Sequence, residues 1–243
     1  MTYFRYFPRV NYKFGNETTT EVFENLSIYS DVVDQIKDAL TAYEDYYILP
    51  DERPDQVSYK LYGTPDYHWT FFLMNEDLRD SGWPLSNNKV FEKAQADYDH
   101  TVITTLSTLT DRFKVGHTMT GLSSGATATI SHRELDLGQV WFEGGTGTFT
   151  TGETINSTDP TDSVTRSIVV DSVATQYNAA HHYENASGEY VDIDPTVGPG
   201  AQLTEITWLD RLVTQNDNLK SIRVIRSNVI EEVVDSFREA VAS

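Results

Sequence analysis

The sequence changes character after Leu109, and that change limits the fold more than any other feature. Up to Leu109 apolar residues recur at helical spacing. Between Phe113 and Ile155 glycine, threonine and serine alternate with apolar residues and helix formers thin out, the pattern of short strands joined by tight turns. A chain that keeps helices and strands in separate stretches is expected to be α+β. The Gly/Thr-rich stretch also carries an approximate internal repeat. Phe113-Lys-Val-Gly-His-Thr-Met-Thr-Gly returns 36 residues later as Phe149-Thr-Thr-Gly-Glu-Thr-Ile-Asn-Ser. Two copies are too few for a solenoid, so two related hairpin units in a small β-sandwich or barrel are expected. Asp159 to Asp162 reads as a loop and Ser167 to Val173 as a closing strand.

The residues before that stretch suggest a compact helical and aromatic region. Tyr3, Phe4, Tyr6, Phe7, Tyr12 and Phe14 crowd the first fourteen positions; so many aromatics are costly to expose, and the arm is expected to dock on its own domain or on a partner. Val32, Val33, Ile36, Leu40 and Tyr43 fall at helical spacing behind a cap at Ser30 or Asp31. Asp45 to Leu49 reads as a strand and Pro50-Asp51-Glu52 as a turn. Pro54 suits a first helical position and Gly63 the left-handed residue that closes a helix. Thr64 then caps a second helix with little polar face, containing Tyr67, Trp69, Phe71, Phe72, Leu73 and Met74. Gly82-Trp83-Pro84-Leu85 breaks the pattern, and Asn88 to Tyr98 resumes as a helix with Val90, Phe91 and Ala94 inward. Near the C-terminus, Lys220 to Arg226 alternates as a strand. Asn228 caps a last helix with the apolar stripe Val229, Ile230, Val233, Val234, Phe237, Ala240 and Val241.

Charge and composition exclude several classes of function. The chain has 37 acidic and 18 basic residues, a net charge of -19, and so repels phosphate backbones and anionic membranes. Neither nucleic acid nor membrane is expected as a partner. No cysteine is present, which removes disulfides, thiol catalysis and cysteine zinc sites together. No apolar run is long enough for a membrane span, and none at the N-terminus reads as a signal peptide, so the mature chain is expected to be the encoded chain.

The run YYILPDERPDQVSYKLYGTPDYHWTFFLMNEDLRDSGWPLS, with its aromatic strand before Arg53-Pro54, Lys60-Leu61-Tyr62-Gly63, Trp69, Asn75 and Gly82-Trp83-Pro84, resembles the baseplate wedge subunit with which T4-like phages join neighbouring wedges. Tyr6-Phe7-Pro8 with Tyr12, and the basic strand and helix from Asn216 to Phe237, are similar to the opening and close of that family in the same order. Its strand, helix, helix order also looks like a LysM module, a small βααβ unit. The resemblance implies a LysM-like core with an N-terminal aromatic arm and helix over residues 1–109, and a return segment at 176–243 whose strand and amphipathic helix pack on the core; the interior departs from the shorter members of that family, and its Gly/Thr-rich stretch reads as a small all-β module inserted at 110–175. It further implies a structural part of a contractile tail baseplate, in the virion and assembled in the host cytoplasm. Its partners are then other wedge proteins, neighbouring wedges, and hub or tube-proximal proteins. Under this reading the interface candidates are Tyr6, Phe7, Tyr12, Trp69, Trp83, Arg223, Arg226 and Phe237.

Sharper chemistry competes with this reading at three places. A LysM-like unit suggests peptidoglycan binding within a tail-associated, cell-wall-degrading assembly, but glycan sites need stacking aromatics with exposed polar groups, and both helices here are heavily apolar. His181, His182 and Glu184 hint at a metal site. Adjacent histidines on a strand point to opposite faces and no third ligand follows, so a structural pair is expected and no cofactor. Asp51, Glu52 and Asp55 cluster as glycosidase acids do, yet they sit at a turn and a helix start, where acids serve capping. With no nucleophile or phosphate-loop motif present, the chain does not read as an enzyme. The terminal stripe, Phe237 included, suits either a partner or the chain's own core.

Overall fold

The computed structural model describes residues 9–16, 18–25 and 43–242. The expected helix from Asp31 lies outside these residues except for Tyr43, as do Tyr3, Phe4, Tyr6 and Phe7. The chain forms two units, one from residues 1–86 and 216–243 and the other from 87–215.

The first unit opens with a hairpin of β1 (Arg9–Tyr12) and β2 (Glu21–Glu24), in which Val10 faces Phe23. Strand β3 (Tyr43–Tyr47) starts two residues earlier than the sequence suggests, so Tyr43 is extended. Helix α1 (Pro54–Tyr62) forms where capping requires it. Arg53 is extended, its amide donates to Gln56 Oε1 at 3.0 Å, and Pro54 occupies the first turn without an orphan N–H. Gly63, at φ 73°, ends it in the left-handed region. The expected second helix is broken into three pieces: a 3-10 turn at Pro65–Tyr67 with the Thr64 hydroxyl accepting from the Asp66 amide, α2 (Trp69–Met74) and α3 (Glu76–Ser81). The break at Asn75, whose backbone is extended, frees its side chain for a task described below.

The second unit begins with α4 (Asn87–Asp97). Val90 and Ala94 are buried on it, but Phe91 is exposed, contrary to expectation. One residue on from Val90 is about 100° round the helix, and the Phe91 ring instead meets the edge of Tyr177 at 5.6 Å. Seven antiparallel strands follow: β4 (Thr101–Thr104), β5 (Thr118–Gly121), β6 (Thr127–Glu134), β7 (Gln139–Phe142), β8 (Thr154–Thr158), β9 (Thr165–Val169) and β10 (Ser172–Thr175), in the order β10-β4-β7-β6-β5-β8-β9. The expected single closing strand is therefore two strands, β9 and β10, joined at Val170–Asp171. These two lie at opposite ends of the sheet order yet are consecutive in the chain, and two residues span under ~10 Å. The sheet must curl on itself: at this corner the Asp171 amide donates to Thr104 O at 2.8 Å, extending the β10–β4 ladder, and the Thr105 hydroxyl donates to Val169 O at 2.8 Å.

The internal repeat explains how the curled sheet is built. Gly116 and Gly152 occupy equivalent repeat positions and both adopt a left-handed backbone, at φ 85° and 82°. Their amides donate to Ile130 O and Val170 O, each at 2.8 Å, while the amides of Ile130 and Val170 return bonds to His117 O and Glu153 O. Each copy thus pins its first strand to its return strand by the same pair of bonds. Equivalent apolar positions, Phe113 with Phe149 and Met119 with Ile155, all enter one core with Ile103, Ile130 and Val140. Burying each large side chain contributes about 1.5–3 kcal/mol. The unit closes with β11 (Ala180–Glu184), β12 (Tyr190–Val191) and β13 (Thr204–Thr207) in a three-stranded sheet, and α5 (Trp208–Asn218), where Thr207 and Asp210 cap each other reciprocally.

Within the last turn of α5 the chain returns to the first unit. Strand β14 (Ser221–Ile225) runs antiparallel to β3, with Ile222 opposite Tyr46 and Arg223 opposite Asp45. Ile222 and Val224 turn inward, as alternation requires, onto Ile48, Val57, Phe71 and Leu78. Helix α6 (Ile230–Ala242) lays Ile230, Val233, Val234 and Phe237 inward beside Ile225, so the stripe covers the chain's own core. The side chains of Ala240 and Val241 lie outside the described residues.

Candidate interaction surfaces

The two edges of the β3–β14 sheet are finished differently. In an antiparallel ladder, alternate pairs turn their N–H and C=O groups outward. On β14 the outward residues are Ser221, Arg223 and Ile225, and side chains cap two of them. The Asn75 amide accepts from Arg223 N at 2.8 Å and donates to Arg223 O at 2.9 Å, as a neighbouring strand would. The Tyr62 hydroxyl donates to Ile225 O at 2.8 Å, and burial pushes its pKa well above the ordinary phenol value. An open groove of about 560 Å³ runs beside this edge, between Asn75–Leu78 and Asn218–Arg223.

On β3 the matching outward residues are Tyr43, Asp45 and Tyr47. Beyond them the Leu49 amide is capped by Glu52 Oε2 at 2.9 Å, but among the described residues no partner meets the outer edge of Tyr43 to Tyr47. Tyr47 is 58% exposed and Tyr43 37%. The Arg223 guanidinium lies over the Tyr43 ring at 5.0 Å, and neither Glu44 nor Asp45 has an ion-pair partner among the described residues. Among the described residues this edge is therefore open, and it is aromatic and acidic.

Glu52 is a buckle for this unit. It accepts from the Leu49 amide, the Tyr46 hydroxyl and Lys60 Nζ, while Trp83 Nε1 donates to its backbone carbonyl at 2.6 Å. Burial pushes its carboxyl up, but those donors outweigh burial and hold it below the usual range. Asp55 pairs with Arg53.

The interface candidates separate by exposure. Tyr6 and Phe7 lie outside the described residues. Tyr12 is exposed and meets Phe14 and Phe23 edge-on, at 4.9 and 6.4 Å, beside Val10 on one face of the hairpin. Arg223 and Arg226 are exposed. Trp69 is half-buried with its ring 4.8 Å from that of Phe237, which is buried, and Trp83 is half-buried against Phe71. Of the exposed residues on β3, Tyr47 carries a sequence signal, the aromatic strand from Asp45, whereas Tyr43 reads in the sequence as the end of a helical stripe.

The histidine pair corrects one expectation. A β-bulge between Ala180 and His182 breaks the alternation that would send the two rings to opposite faces. His181 Nδ1 instead lies 2.8 Å from His182 Nδ1, and His182 Nε2 lies 2.9 Å from Glu184 Oε1. Burial, then Arg211 and His182, lowers the pKa of His181. The pair borders an aromatic cluster of Trp141, Trp208 and Tyr98 that sequence reasoning missed, because its members are far apart in the chain. Among the described residues no group of three or more histidines and acids is arranged to hold a metal ion, and no helix is long and apolar enough to cross a membrane.

Residues 2–104 match the family model described as base plate wedge protein 53. No curated protein matches the chain.

Proposed function

We propose, the chain being by that match a phage baseplate wedge protein, that it joins adjacent wedges of a contractile-tail baseplate into a ring through protein contacts. The family assignment gives a structural role in the tail baseplate; the wedge-joining contact is the step beyond it. The observation that carries the step is the concentration of exposed aromatics within the matched stretch. Tyr12, Phe14 and Phe23 on the hairpin and Tyr43 and Tyr47 on β3 are all exposed there, and exposed aromatic groups of this kind anchor protein interfaces. The strand, helices and antiparallel returning strand of the first unit support a LysM-like description. In this reading residues 110–175 form a module inserted between the 1–109 core segment and the 176–243 return segment, and its sheet takes in β4 from the core segment; insertions at exposed loops cost little stability. Arg223 and Arg226, exposed on and beyond β14, are the charged candidates for a neighbouring wedge, with hub or tube-proximal proteins as further partners.

Quantitative mass spectrometry of purified phage particles tests the proposal by counting this chain against the tube protein. A copy number in a fixed multiple of the baseplate's sixfold symmetry, with cross-links from Tyr12–Phe23 or Tyr43–Tyr47 peptides to wedge proteins, is expected. Absence from the particle overturns it, and retention of the pure protein on peptidoglycan sacculi would then favour a cell-wall-binding role.

A further inference from the structure

The edge of β14 is closed by Asn75 and Tyr62, while that of β3 meets no partner over Tyr43, Asp45 and Tyr47 among the described residues. Open strand edges template pairing with other chains, and folded proteins usually cover or blunt them. Here the two edges of one small sheet receive opposite treatment. Exposed tyrosines flank the open one, and β3 carries Glu44 and Asp45, which have no ion-pair partner among the described residues.

We propose that the outer edge of β3 is a β-augmentation site that takes an extended, basic segment of another protein as a third strand. Main-chain bonds to Tyr43, Asp45 and Tyr47 would supply affinity, and the acids and tyrosines on its two faces would select Lys or Arg and apolar side chains. Charge complementarity identifies the occupant. Glu44 and Asp45 lack ion-pair partners among the described residues, and the strand this chain itself offers to β3 is basic, with Lys220, Arg223 and Arg226 in and beside β14. A second copy pairing β3 with β3 would set acids against acids, and two chains of net charge -19 repel. The site deepens the wedge-joining reading by giving it a partner chemistry. Peptide binding can fail while the chain is still counted in particles, so the two failures are distinguishable.

The test titrates the full chain with a synthetic peptide of its own residues 219–227, Leu-Lys-Ser-Ile-Arg-Val-Ile-Arg-Ser, and with the same peptide carrying Glu in place of Lys and Arg. Binding is read by fluorescence anisotropy and by amide hydrogen exchange. The basic peptide is expected to bind saturably and to slow exchange at Tyr43, Asp45 and Tyr47, leaving Ile48, already bonded to Lys220 O, unchanged. Tyr47→Pro removes an outward N–H without touching the β14 ladder, and Asp45→Lys reverses the charge should the proline variant fail to fold. Each is expected to weaken binding ~10-fold or more. No slowing at these amides up to ~1 mM peptide, equal binding of the acidic peptide, or displacement of β14 overturns the proposal. Concentration-dependent protection of the same amides without peptide would assign the edge to a second copy and overturn it likewise.

Discussion

The Asn75 side chain makes three hydrogen bonds, to Phe71 O at 2.7 Å and to the amide and carbonyl of Arg223 at 2.8 and 2.9 Å. Its amide alone among small side chains offers donors and an acceptor in that arrangement. Asn75→Ala is expected to cost about 1–2 kcal/mol in urea unfolding, because water at this half-buried site replaces part of what is lost. Asn75→Asp is expected to cost more than the alanine at neutral pH, since a carboxylate oxygen then faces two carbonyls. The buried Glu153 presents the opposite case. Burial pushes its carboxyl up, but the Thr150 and Ser124 amides and the Ser124 hydroxyl outweigh this and hold it below the usual range. Asp159, buried beside Lys114 and the Thr161 amide, is lowered more strongly. Both groups bind fewer protons folded than unfolded. Their contribution is complete above the ordinary carboxylate range and is lost as pH falls through the depressed folded values. Stability of the second unit should therefore fall on acidification below about pH 4.5. Glu153→Gln should cost about 2 kcal/mol at neutral pH and flatten that acid limb, measured by urea unfolding at several pH values.

Among elements, those with local signals were legible. Pro54 and Gly63 bracketed α1, alternation marked β14, and the Gly/Thr pattern marked β5 to β8. Where bonds between distant residues decide, local reasoning failed. The break at Asn75 answers to Arg223, the bulge at His182 to the pairing of β11 with β13, and the corner between β9 and β10 to Thr104. The open edge was illegible for the same reason, because the side of β3 left unpaired depends on where β14 docks. The repeat shows what sequence periodicity can supply when the repeated unit is itself a bonding pattern. Gly116 and Gly152 have the same left-handed backbone and the same bond to a return strand, and at neither would an added Cβ meet a neighbour within 4 Å. Substitution to alanine should therefore register backbone strain alone, about 1–2 kcal/mol at each site and nearly equal. Gly121 differs. A Cβ there would overlap Ser124 and the Glu153 carboxylate, so Gly121→Ala should cost more than either, in the same thermal unfolding series.

Across the whole molecule, each unit buries its own core. Ile48, Val57, Phe71, Leu78, Ile222 and Val224 pack together in the first, and Phe113, Ile130, Val140 and Ile155 in the second. Tryptophans divide the same way, with Trp69 and Trp83 in one and Trp141 and Trp208 in the other. If each core stabilises its own unit, damage should stay local. Ile155 is fully buried, and Ile155→Ala removes enough of the second unit's core to cost about 3 kcal/mol. Native-state hydrogen exchange read by mass spectrometry should then show faster exchange throughout residues 87–215, with residues 43–86 and 216–239 unchanged. Phe71→Ala, expected to cost about 4 kcal/mol in the first unit, should give the mirror image. A uniform rise in exchange along the chain for both variants would mean that the units unfold as one. A second unit that opens independently would permit the first to keep its packing while the second is altered or replaced.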